Sequence, residues 1–447
     1  MNTIKLLRKI SLKKTSVLKY KKFTFFYIGN LIAIILALVT QLLIPKLISV
    51  DEFGIYKTFT LYLAYASLFH FGYKDGLYIW LCNNKNELKS KKEIFSSVLF
   101  IQQILVTIVL FIISYFLSGN IKLIIRLLSF ASFFNILYSF FEAYYQSLKN
   151  FKPTVYFKFF KEASLFLIIL AFYFFGIKIT AVNLIYTVVI ISFFSFIIYW
   201  FYSNWNFGIH NQIIKHKKEI KKIYANGFHL LIGNFTHQLS TNIDKLFISS
   251  LFTTQVFGIY AFGTTFFILA NVLLTSVSTF LLPYLFEDKK EINNKNSLSY
   301  IKLILYPFQL IPVYIIYFFL IVLLINNYFT EYVESLKYFA ALNLALVLNI
   351  SISIVQNNFL KSLKLEKTYS KINIILIGLL IIFFIVFYKL QLDLIFYPIA
   401  ISVSFLIRFL LNDYFIKSKL CLNFLNFKLF FWVFCNIIFY IIALISV

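Results

Sequence analysis

The sequence predicts an all-α membrane protein with about 12 to 13 transmembrane helices in two pseudo-symmetric six-helix lobes around a central cavity. Of the 447 residues, 61% are hydrophobic and only 13% are charged, against roughly 25% charged in an ordinary soluble domain. Apolar stretches recur from residue 23 to the C-terminus, each near the ~20 residues that a helix needs to cross a bilayer. These runs are continuous, whereas the strands of a membrane β-barrel alternate apolar and polar residues.

Six predicted spans precede a basic linker and seven follow it. The first apolar stretch is too long for the core of a secretory signal and lacks a small-residue cleavage site, so we expect it to remain as span 1. The last span is an addition to two six-helix lobes and places Val447 outside. The predicted spans cover residues 23–48, 56–81, 93–118, 121–148, 154–176, 180–203, 223–252, 255–287, 299–326, 332–361, 369–389, 392–416 and 426–446.

The spans divide the chain into five segments. A basic cytoplasmic N-terminus (1–22) precedes an N-terminal lobe with spans 1 to 6 (23–203). A basic cytoplasmic linker (204–222) leads to a C-terminal lobe with spans 7 to 12 (223–416), and the extra span follows (417–447). No loop is long enough to fold as a nucleotide-binding or catalytic domain. This excludes an ATP-driven pump within the chain and argues against an enzyme such as a glycan polymerase or a glycosyltransferase.

Charge predicts the orientation. The net charge is +25, and most basic residues lie in alternate short loops, as in cytoplasmic loops of membrane proteins. We therefore expect a cytoplasmic N-terminus and contact with anionic lipid headgroups rather than nucleic acid. The three cysteines have no metal or redox spacing, so no metal site or cofactor is predicted. The basic residues assigned to the external face are Lys46, Lys57, Lys122, Lys178 and Lys389.

Short repeats indicate an internal duplication. The tetrapeptide Phe-Gly-Ile-Tyr occurs at residues 53–56 and again at 257–260, in each case where a short external turn leads into the second span of a half. Ser-Leu-Lys occurs after span 4 at 147–149 and after span 10 at 362–364. A duplicated six-helix unit explains both, and transporters built this way enclose a central site between lobes. Chance matches in a biased composition are the alternative.

Several motifs carry a family resemblance. The first motif is the turn from Leu43 to Tyr56, which contains a proline and ends in Glu-Phe-Gly-Ile-Tyr. The second is the Gly-Tyr-Lys-Asp-Gly segment within Phe71 to Leu77. The second half adds Asn242 to Ile248, Val256 to Tyr260 and Leu282-Pro283. In order and spacing these resemble the Wzx-type O-antigen flippases, the polysaccharide branch of the multidrug/oligosaccharidyl-lipid/polysaccharide exporter superfamily. The resemblance covers spans 1 to 12. Family members commonly have 12 or 14 spans, so a thirteenth departs from the pattern.

The resemblance implies a two-lobed, inverted-V fold in the bacterial inner membrane. It also implies a substrate, an undecaprenyl-diphosphate-linked oligosaccharide, which would be moved to the external leaflet for O-antigen, capsule or other polysaccharide assembly. Partners would then be membrane lipids and the polymerase and glycosyltransferases of the same pathway. The alternative is a cation-coupled exporter of drugs or metabolites from the same superfamily.

An oligosaccharide needs a hydrated path across the membrane, because each unpaired hydroxyl moved into hydrocarbon costs several kcal/mol. Span 7 is the best candidate to line such a path, since a helix facing lipid on most sides does not tolerate its polar groups. The alternative is that these groups hold helices together. On one helical face of span 7 lie Asn226, His229, Gly233, Thr236, His237, Ser240 and Asp244, and on a second stripe lie Asn234, Gln238, Thr241 and Lys245.

Four intramembrane cations are predicted to bind the diphosphate, because guanidinium and ammonium groups donate strong charge-assisted hydrogen bonds to phosphate. The predicted translocation residues are Lys74, Arg126, His229, His237, Lys245 and Arg408. The candidates for ion coupling are Asp75, Asp244 and His70. Simpler interpretations stay open: Asp75 pairs with Lys74 at an interface, Arg126 extends to the headgroups, and the membrane potential alone drives an anionic substrate outward.

Overall fold

The computed structural model describes residues 28–83, 88–148, 150–205, 213–287, 295–363, 365–422 and 427–447. These residues form helices connected by short turns, and none of them lies in a strand. The predicted all-α class is therefore confirmed. The basic N-terminus (1–22) and the middle of the linker (206–212) lie outside the described residues.

Each predicted span coincides with one helix or with two consecutive helices. In the first half the helices are α1 (Ile28–Leu47), α2 (Val50–Ala66), α3 (Tyr73–Asn83), α4 (Leu88–Tyr115), α5 (Gly119–Ser147), α6 (Phe151–Phe174) and α7 (Ala181–Ser203). In the second half they are α8 (Lys217–Leu251), α9 (Thr254–Glu287), α10 (Lys295–Gln309), α11 (Ile311–Tyr328), α12 (Ser335–Ser351), α13 (Asn357–Ser362), α14 (Glu366–Lys389), α15 (Phe396–Lys419) and α16 (Phe427–Ile445). Within the described ranges, nine helical segments are long and apolar enough to cross a membrane. The protein is thus a multi-pass membrane protein.

The chain forms two compact units. Unit 1 comprises residues 1–48 and 58–232, and unit 2 comprises residues 49–57 and 233–447. The division falls inside α8, ten residues after the predicted start of the C-terminal lobe at residue 223. The first turns of α2 belong to unit 2.

An aromatic core organises unit 1. Residues from α3, α4, α5 and α7 form it, and edge-to-face ring pairs such as Trp80 with Phe95 and Phe141 with Trp205 fill it. Such pairs contribute about 0.5–1.5 kcal/mol each beyond the buried area. The indole of Trp205, which follows α7, donates a 2.7 Å hydrogen bond to the Ser96 hydroxyl of α4. The start of the linker is therefore anchored on unit 1.

A central helix organises unit 2. Every residue of α12 from Ser335 to Ser351 except Lys337 is buried, with α9, α15 and α16 packed around it. A π-helical turn (Ile352–Gln356) continues α12 into α13. The thirteenth span, α16, belongs to this bundle, and its Phe439 ring lies edge-on against Phe318 of α11 with centroids 6.0 Å apart.

Two spans predicted as single helices are interrupted, and this corrects the sequence-based assignment. Span 9 (299–326) divides at Leu310 into α10 and α11, because Pro307 and Pro312 remove backbone donors and clash with the preceding turn. Span 2 (56–81) divides into α2 and α3 between residues 67 and 72. At that break Phe71 and Gly72 take positive φ angles of 46° and 82°, which end a right-handed helix.

The two copies of the Phe-Gly-Ile-Tyr repeat contact each other in unit 2. A Cβ atom on Gly54 would collide with the carbonyl oxygen of Thr254, and a Cβ atom on Gly258 would collide with that of Val50. Since both residues of each pair are shifted by the same 204 positions, the contact is reciprocal, as expected where duplicated segments meet about a local twofold axis. The backbones of α2 and α9 thus approach as closely as glycine permits.

Candidate functional site

Unit 1 contains a group of charged side chains within its membrane helices, which we term the lysine–glutamate cluster. It consists of Lys74 on α3, Glu142 on α5, and Lys158, Lys161 and Glu162 on α6. Glu142 interacts electrostatically with all three lysines, and Glu162 with the two on α6. Asp75, the next residue after Lys74, also interacts with that lysine, so the three cations of the cluster have three carboxylates around them.

Polar side chains of neighbouring helices hold the lysines. The Lys74 ammonium donates to the Ser139 hydroxyl at 3.2 Å, and the Lys158 ammonium donates to Oδ1 of Asn30 on α1 at 3.2 Å. The Lys161 ammonium donates to Oδ1 of Asn135 and lies 5.2 Å from the ring centroid of Tyr138. Hydrogen-bonding partners of this kind orient an ammonium without neutralising its charge.

The lysines of α6 lie well inside their helix. Lys158 and Lys161 are about 11 and 15 Å from the start of α6, a helix about 36 Å long at 1.5 Å per residue. All five residues of the cluster are partly exposed, but the charged ends of Lys74, Glu142 and Lys161 are buried in unit 1. A charged group facing hydrocarbon at a helix centre costs at least ~2.5 kcal/mol, so these groups depend on one another and on their polar neighbours.

The break in span 2 positions Lys74 and two of the predicted ion-coupling residues. Nδ1 of buried His70 accepts the Gly72 N–H at 3.0 Å, so this nitrogen is occupied in a structural bond. The His70 Nε2 lies 3.9 Å from an Asp75 oxygen, while the Gln103 amide donates to the Phe69 carbonyl at 3.3 Å. Helix α3 begins one residue before Lys74, in the interior of predicted span 2. Interrupted helices of this kind mark substrate and ion sites in transporters.

Arg126 lies far from Lys74 within unit 1. Its guanidinium carbon lies 5.4 Å and 5.1 Å from the ring centroids of Phe111 and Tyr115 at the end of α4. Ser139, which contacts Lys74, lies 13 residues further along α5 and hence about 20 Å away along the axis. These two cations do not share one phosphate group in unit 1. Arg126 instead makes cation–π contacts near the end of the helix pair.

In unit 2, Asp244 and Lys245 are buried next to each other on α8 but engage different partners. The Tyr260 hydroxyl of α9 donates to the Asp244 carboxylate. The Lys245 ammonium donates to Oδ1 of Asn242 at 2.8 Å and repels the nearby Lys57. Lys57, which was predicted to face the exterior, donates from within unit 2 to the Thr265 hydroxyl at 3.3 Å.

Arg408 is the most deeply placed predicted cation. Its side chain is 2% exposed, its Nη1 donates to the Ser240 hydroxyl of α8 at 3.3 Å, and its guanidinium carbon lies 5.1 Å from the Phe405 ring centroid. Ser240 and Lys245 lie about 7.5 Å apart along α8, and Arg408 and Lys245 engage different side chains of that helix.

Of the two predicted histidines of α8, the structure describes the side chain of His229 only. His229 is exposed within a stretch of unit 1 in which Asn226 and Phe228 are also exposed. The side chain of His237 lies outside the described residues. The polar face predicted for span 7 therefore has an exposed part in unit 1 and a buried part, with Ser240 and Asp244, in unit 2.

Sequence reasoning missed three of the five residues of the cluster. Lys158, Lys161 and Glu162 fall within predicted span 5 (154–176) but are not among the predicted site residues. The structure places all three on α6. A signal was present, because residues at i, i+3 and i+4 share one helical face and an apolar span rarely carries three charges without a function.

Comparisons with known proteins agree with this architecture. A family model described as "Polysaccharide biosynthesis protein" matches residues 20–289, which is more than half of the chain. No curated protein gives a significant match.

Solved structures show the same fold. A structure titled "Lipid II flippase MurJ, inward closed conformation" has 19% sequence identity and a TM-score of 0.68, covering 95% of this chain and 97% of that one. An inward-facing multidrug resistance MATE transporter of the MOP superfamily has 12% identity and a TM-score of 0.57, covering 86% and 98%. A MOP superfamily transporter from Pyrococcus furiosus, titled for the reverse polarity of its binding pocket, has 14% identity and a TM-score of 0.57, covering 88% and 94%.

All three structures are of membrane transporters, and at these identities they establish the fold. The family is established separately by the match over residues 20–289. From its sequence and its helical architecture, the chain belongs to the polysaccharide biosynthesis protein family and has the fold of MOP superfamily transporters.

Proposed function

We propose that the protein is a flippase, not an enzyme, that moves an undecaprenyl-diphosphate-linked oligosaccharide repeat unit from the cytoplasmic to the external leaflet by alternating access. Its product would serve O-antigen, lipopolysaccharide, capsule or exopolysaccharide assembly in a bacterial inner membrane. The N-terminus would be cytoplasmic. Its partners would be membrane lipids, the lipid-linked glycan, and the polymerase and glycosyltransferases of the pathway.

The observation that carries the proposal is the lysine–glutamate cluster of unit 1. The three lysines are partly exposed residues within predicted spans 2 and 5, and their ammonium groups are donors of the kind that bind the oxygens of a diphosphate. The neutral groups around them, Asn30, Asn135 and Ser139, are of the type that hydrogen-bonds sugar hydroxyls. A headgroup can therefore replace its hydration shell at this surface while the polyprenyl tail stays in the lipid.

The alternative is a cation-coupled exporter of drugs or metabolites, which the structural similarity to MATE transporters supports. Such a protein needs carboxylates that are free to bind Na⁺ or H⁺ and an apolar pocket for a cationic drug. Here Asp75, Glu142 and Glu162 all interact with lysines. Carboxylates that are engaged in this way are less available to bind Na⁺ or H⁺, which favours the flippase over the cation-coupled exporter.

Flipping of a defined substrate tests the proposal. The protein is reconstituted in liposomes with a fluorescent undecaprenyl-diphosphate-linked sugar, and a membrane-impermeant quencher reports the fraction in the outer leaflet. We expect Lys158→Gln and Lys161→Gln each to lower the flipping rate roughly 10- to 100-fold, since a hydrogen bond to a charged group contributes about 1.5–3 kcal/mol. Lys158→Arg should retain much of the rate because it keeps charge and donors.

Lys178→Gln is the matched control, since it removes one positive charge at an exposed turn after α6 and should leave the rate unchanged. Wild-type flipping with full activity of the Lys158→Gln/Lys161→Gln double variant would contradict the assigned site. A wild-type protein that fails to flip the lipid-linked sugar but expels a cationic dye along a Na⁺ or H⁺ gradient would support the alternative function.

A further inference from the structure

Arg408 in unit 2 presents an unusual electrostatic situation. Its side chain is 2% exposed, yet its Nε and Nη2 have no hydrogen-bond partner among the described residues. These two donors form one edge of the planar guanidinium, and this edge can donate two parallel hydrogen bonds to one anion, as a fork. The opposite nitrogen, Nη1, is the one that contacts Ser240.

The positive charge also lacks a carboxylate partner in the described part of the chain. The acid nearest along its own helix, Asp413, is already paired with Lys417 at 2.7 Å and accepts a 2.7 Å hydrogen bond from Tyr300. The electrostatic neighbour of Arg408 on α14 is Tyr369, a phenol. Arginine stays charged in proteins, and a buried charge without a counterion is strongly unfavourable.

Neighbouring groups on the same face of α15 add further unpaired donors. Asn412 lies one turn after Arg408, is fully buried, and has no partner for either Nδ2 or Oδ1. Ser404 lies one turn before it, is 5% exposed, and has an unpaired hydroxyl. A water molecule can satisfy donors, but only an anion also compensates the charge.

We propose that Arg408, together with Ser404 and Asn412 on α15, binds a small monovalent inorganic anion, chloride under cellular conditions. The ligand is small because all three side chains are buried, so a phosphate that carries a sugar and a lipid has no open route to the fork. A halide accepts several N–H and O–H donors without a fixed geometry. The bound anion then supplies the negative charge that unit 2 needs next to α8 and α15.

Thermal unfolding of the purified full-length protein in detergent tests the site without any transport measurement, so its outcome is separate from that of the proposed function. Sodium chloride is exchanged for sodium gluconate at constant ionic strength. We expect chloride to raise Tm saturably by about 2–4 °C. Arg408→Gln should abolish this response. Arg408→Lys should weaken it, because the charge remains but the fork is lost. Lys389→Gln, which removes an exposed charge of unit 2, should keep the full response.

A second measurement covers the case in which Arg408→Gln does not fold. Crystals of the wild-type protein grown with bromide should show an anomalous peak beside Nε and Nη2, and the absence of a peak there would overturn the proposal. Equal Tm values in chloride and gluconate, or a chloride response that persists in Arg408→Gln, would also overturn it. Stabilisation by inorganic phosphate but not by chloride would rule out a small monovalent anion.

Discussion

The charged side chains of the lysine–glutamate cluster are tolerated inside unit 1 because they have partners of a suitable kind. In unit 1, Glu142 interacts with three lysines, while Asn30 and Asn135 accept hydrogen bonds from Lys158 and Lys161. An unpaired lysine at the centre of a membrane helix costs ~2.5–3.5 kcal/mol even on the mildest scale. The carboxylates Asp75, Glu142 and Glu162 therefore balance the charges of the three lysines.

A second ionic contact lies between the start of α4 and the start of α8. The Lys91 ammonium contacts both oxygens of Glu219, at 3.1 and 3.2 Å, and Nδ1 of His216 lies 3.1 Å from one of them. Partial burial opposes ionisation, but the hydrogen bonds from Lys91 and His216 outweigh it and lower the pKa of Glu219 below its ordinary value. Three side chains thus attach the loop before α8 to unit 1.

At the residue scale we predict that Glu219→Gln loosens this loop. A lowered carboxylate pKa contributes stability above the unfolded value of about 4.3, and this stability is lost as the pH falls through the folded value. The contact is partly exposed to solvent, so we expect an effect of about 1 kcal/mol at most, or up to roughly fivefold faster tryptic cleavage at the lysines of residues 215–222. In the wild-type protein, acidification below about pH 4 should weaken the same contact.

Glu331→Gln is the control, because Glu331 is an exposed carboxylate of unit 2. Its cleavage at residues 215–222 should match that of the wild-type protein. An unchanged cleavage rate for Glu219→Gln would show that the aromatic contacts of the loop, such as that of His216 with Phe95, hold it without the ion pair.

At the scale of elements, glycines decide which helices touch. In unit 1, Gly72 and Gly76 lie against Gly227 of α8 so closely that a Cβ on any of them would collide with a neighbouring backbone. In unit 2, Gly54 and Gly258 make the reciprocal contact of α2 and α9. Membrane helices gain little from the hydrophobic effect between them, so close backbone packing at small residues is a main source of their association.

We predict that Gly54→Ala destabilises the protein although alanine favours helices. The new methyl group must displace the carbonyl of Thr254, and overpacking of this kind costs about 1–3 kcal/mol. Gly378→Ala on α14 is the matched control, because a Cβ there meets nothing within 4 Å and the helix gains up to about 1 kcal/mol. The Tm of each variant in detergent measures both effects.

Equal Tm values for Gly54→Ala and Gly378→Ala would show that α2 and α9 separate without loss of stability. That result would contradict the structural importance of the repeated tetrapeptide. A lowered Tm for Gly54→Ala alone would support it.

At the scale of the whole molecule, the chain carries a net charge of +25, and the membrane potential acts on any charged substrate that crosses the bilayer. An inside-negative potential favours outward movement of each negative charge by ~2.3 kcal/mol per 100 mV. A diphosphate headgroup that crosses without compensation by the protein's own lysines would gain about twice this amount. The field alone can then drive a flippase of this kind.

We therefore predict that an inside-negative potassium diffusion potential accelerates outward flipping in liposomes, while equal pH and Na⁺ on both sides do not prevent it. The measurement is the flipping rate at 0 and at about −100 mV, set by valinomycin. Transport that is independent of the potential but requires a Na⁺ or H⁺ gradient would contradict uncoupled movement. It would favour ion coupling through Asp75, Asp244 and His70.

Much of the architecture follows from local properties of the chain. Apolar length predicted α5, α7 and α16 within a few residues, because a bilayer imposes the same requirement on every spanning helix. The breaks in spans 2 and 9 were missed, since the hydropathy of a window does not register the φ angle of Phe71 or the position of Pro307 within a turn. The lysines of α6 were also misassigned, because basic residues near a span end resemble those of a loop.

The sequence by itself determined the all-α class, the membrane, the repeated tetrapeptide and the net positive charge of the chain, since these depend on composition and order alone. Only the tertiary structure decided that Lys158 and Lys161 face Glu142, that Arg126 stands apart from Lys74, and that one edge of Arg408 is unpaired. These contacts involve residues on different helices. The packing that brings such helices together depends on the whole fold and cannot be inferred from any single segment of the chain.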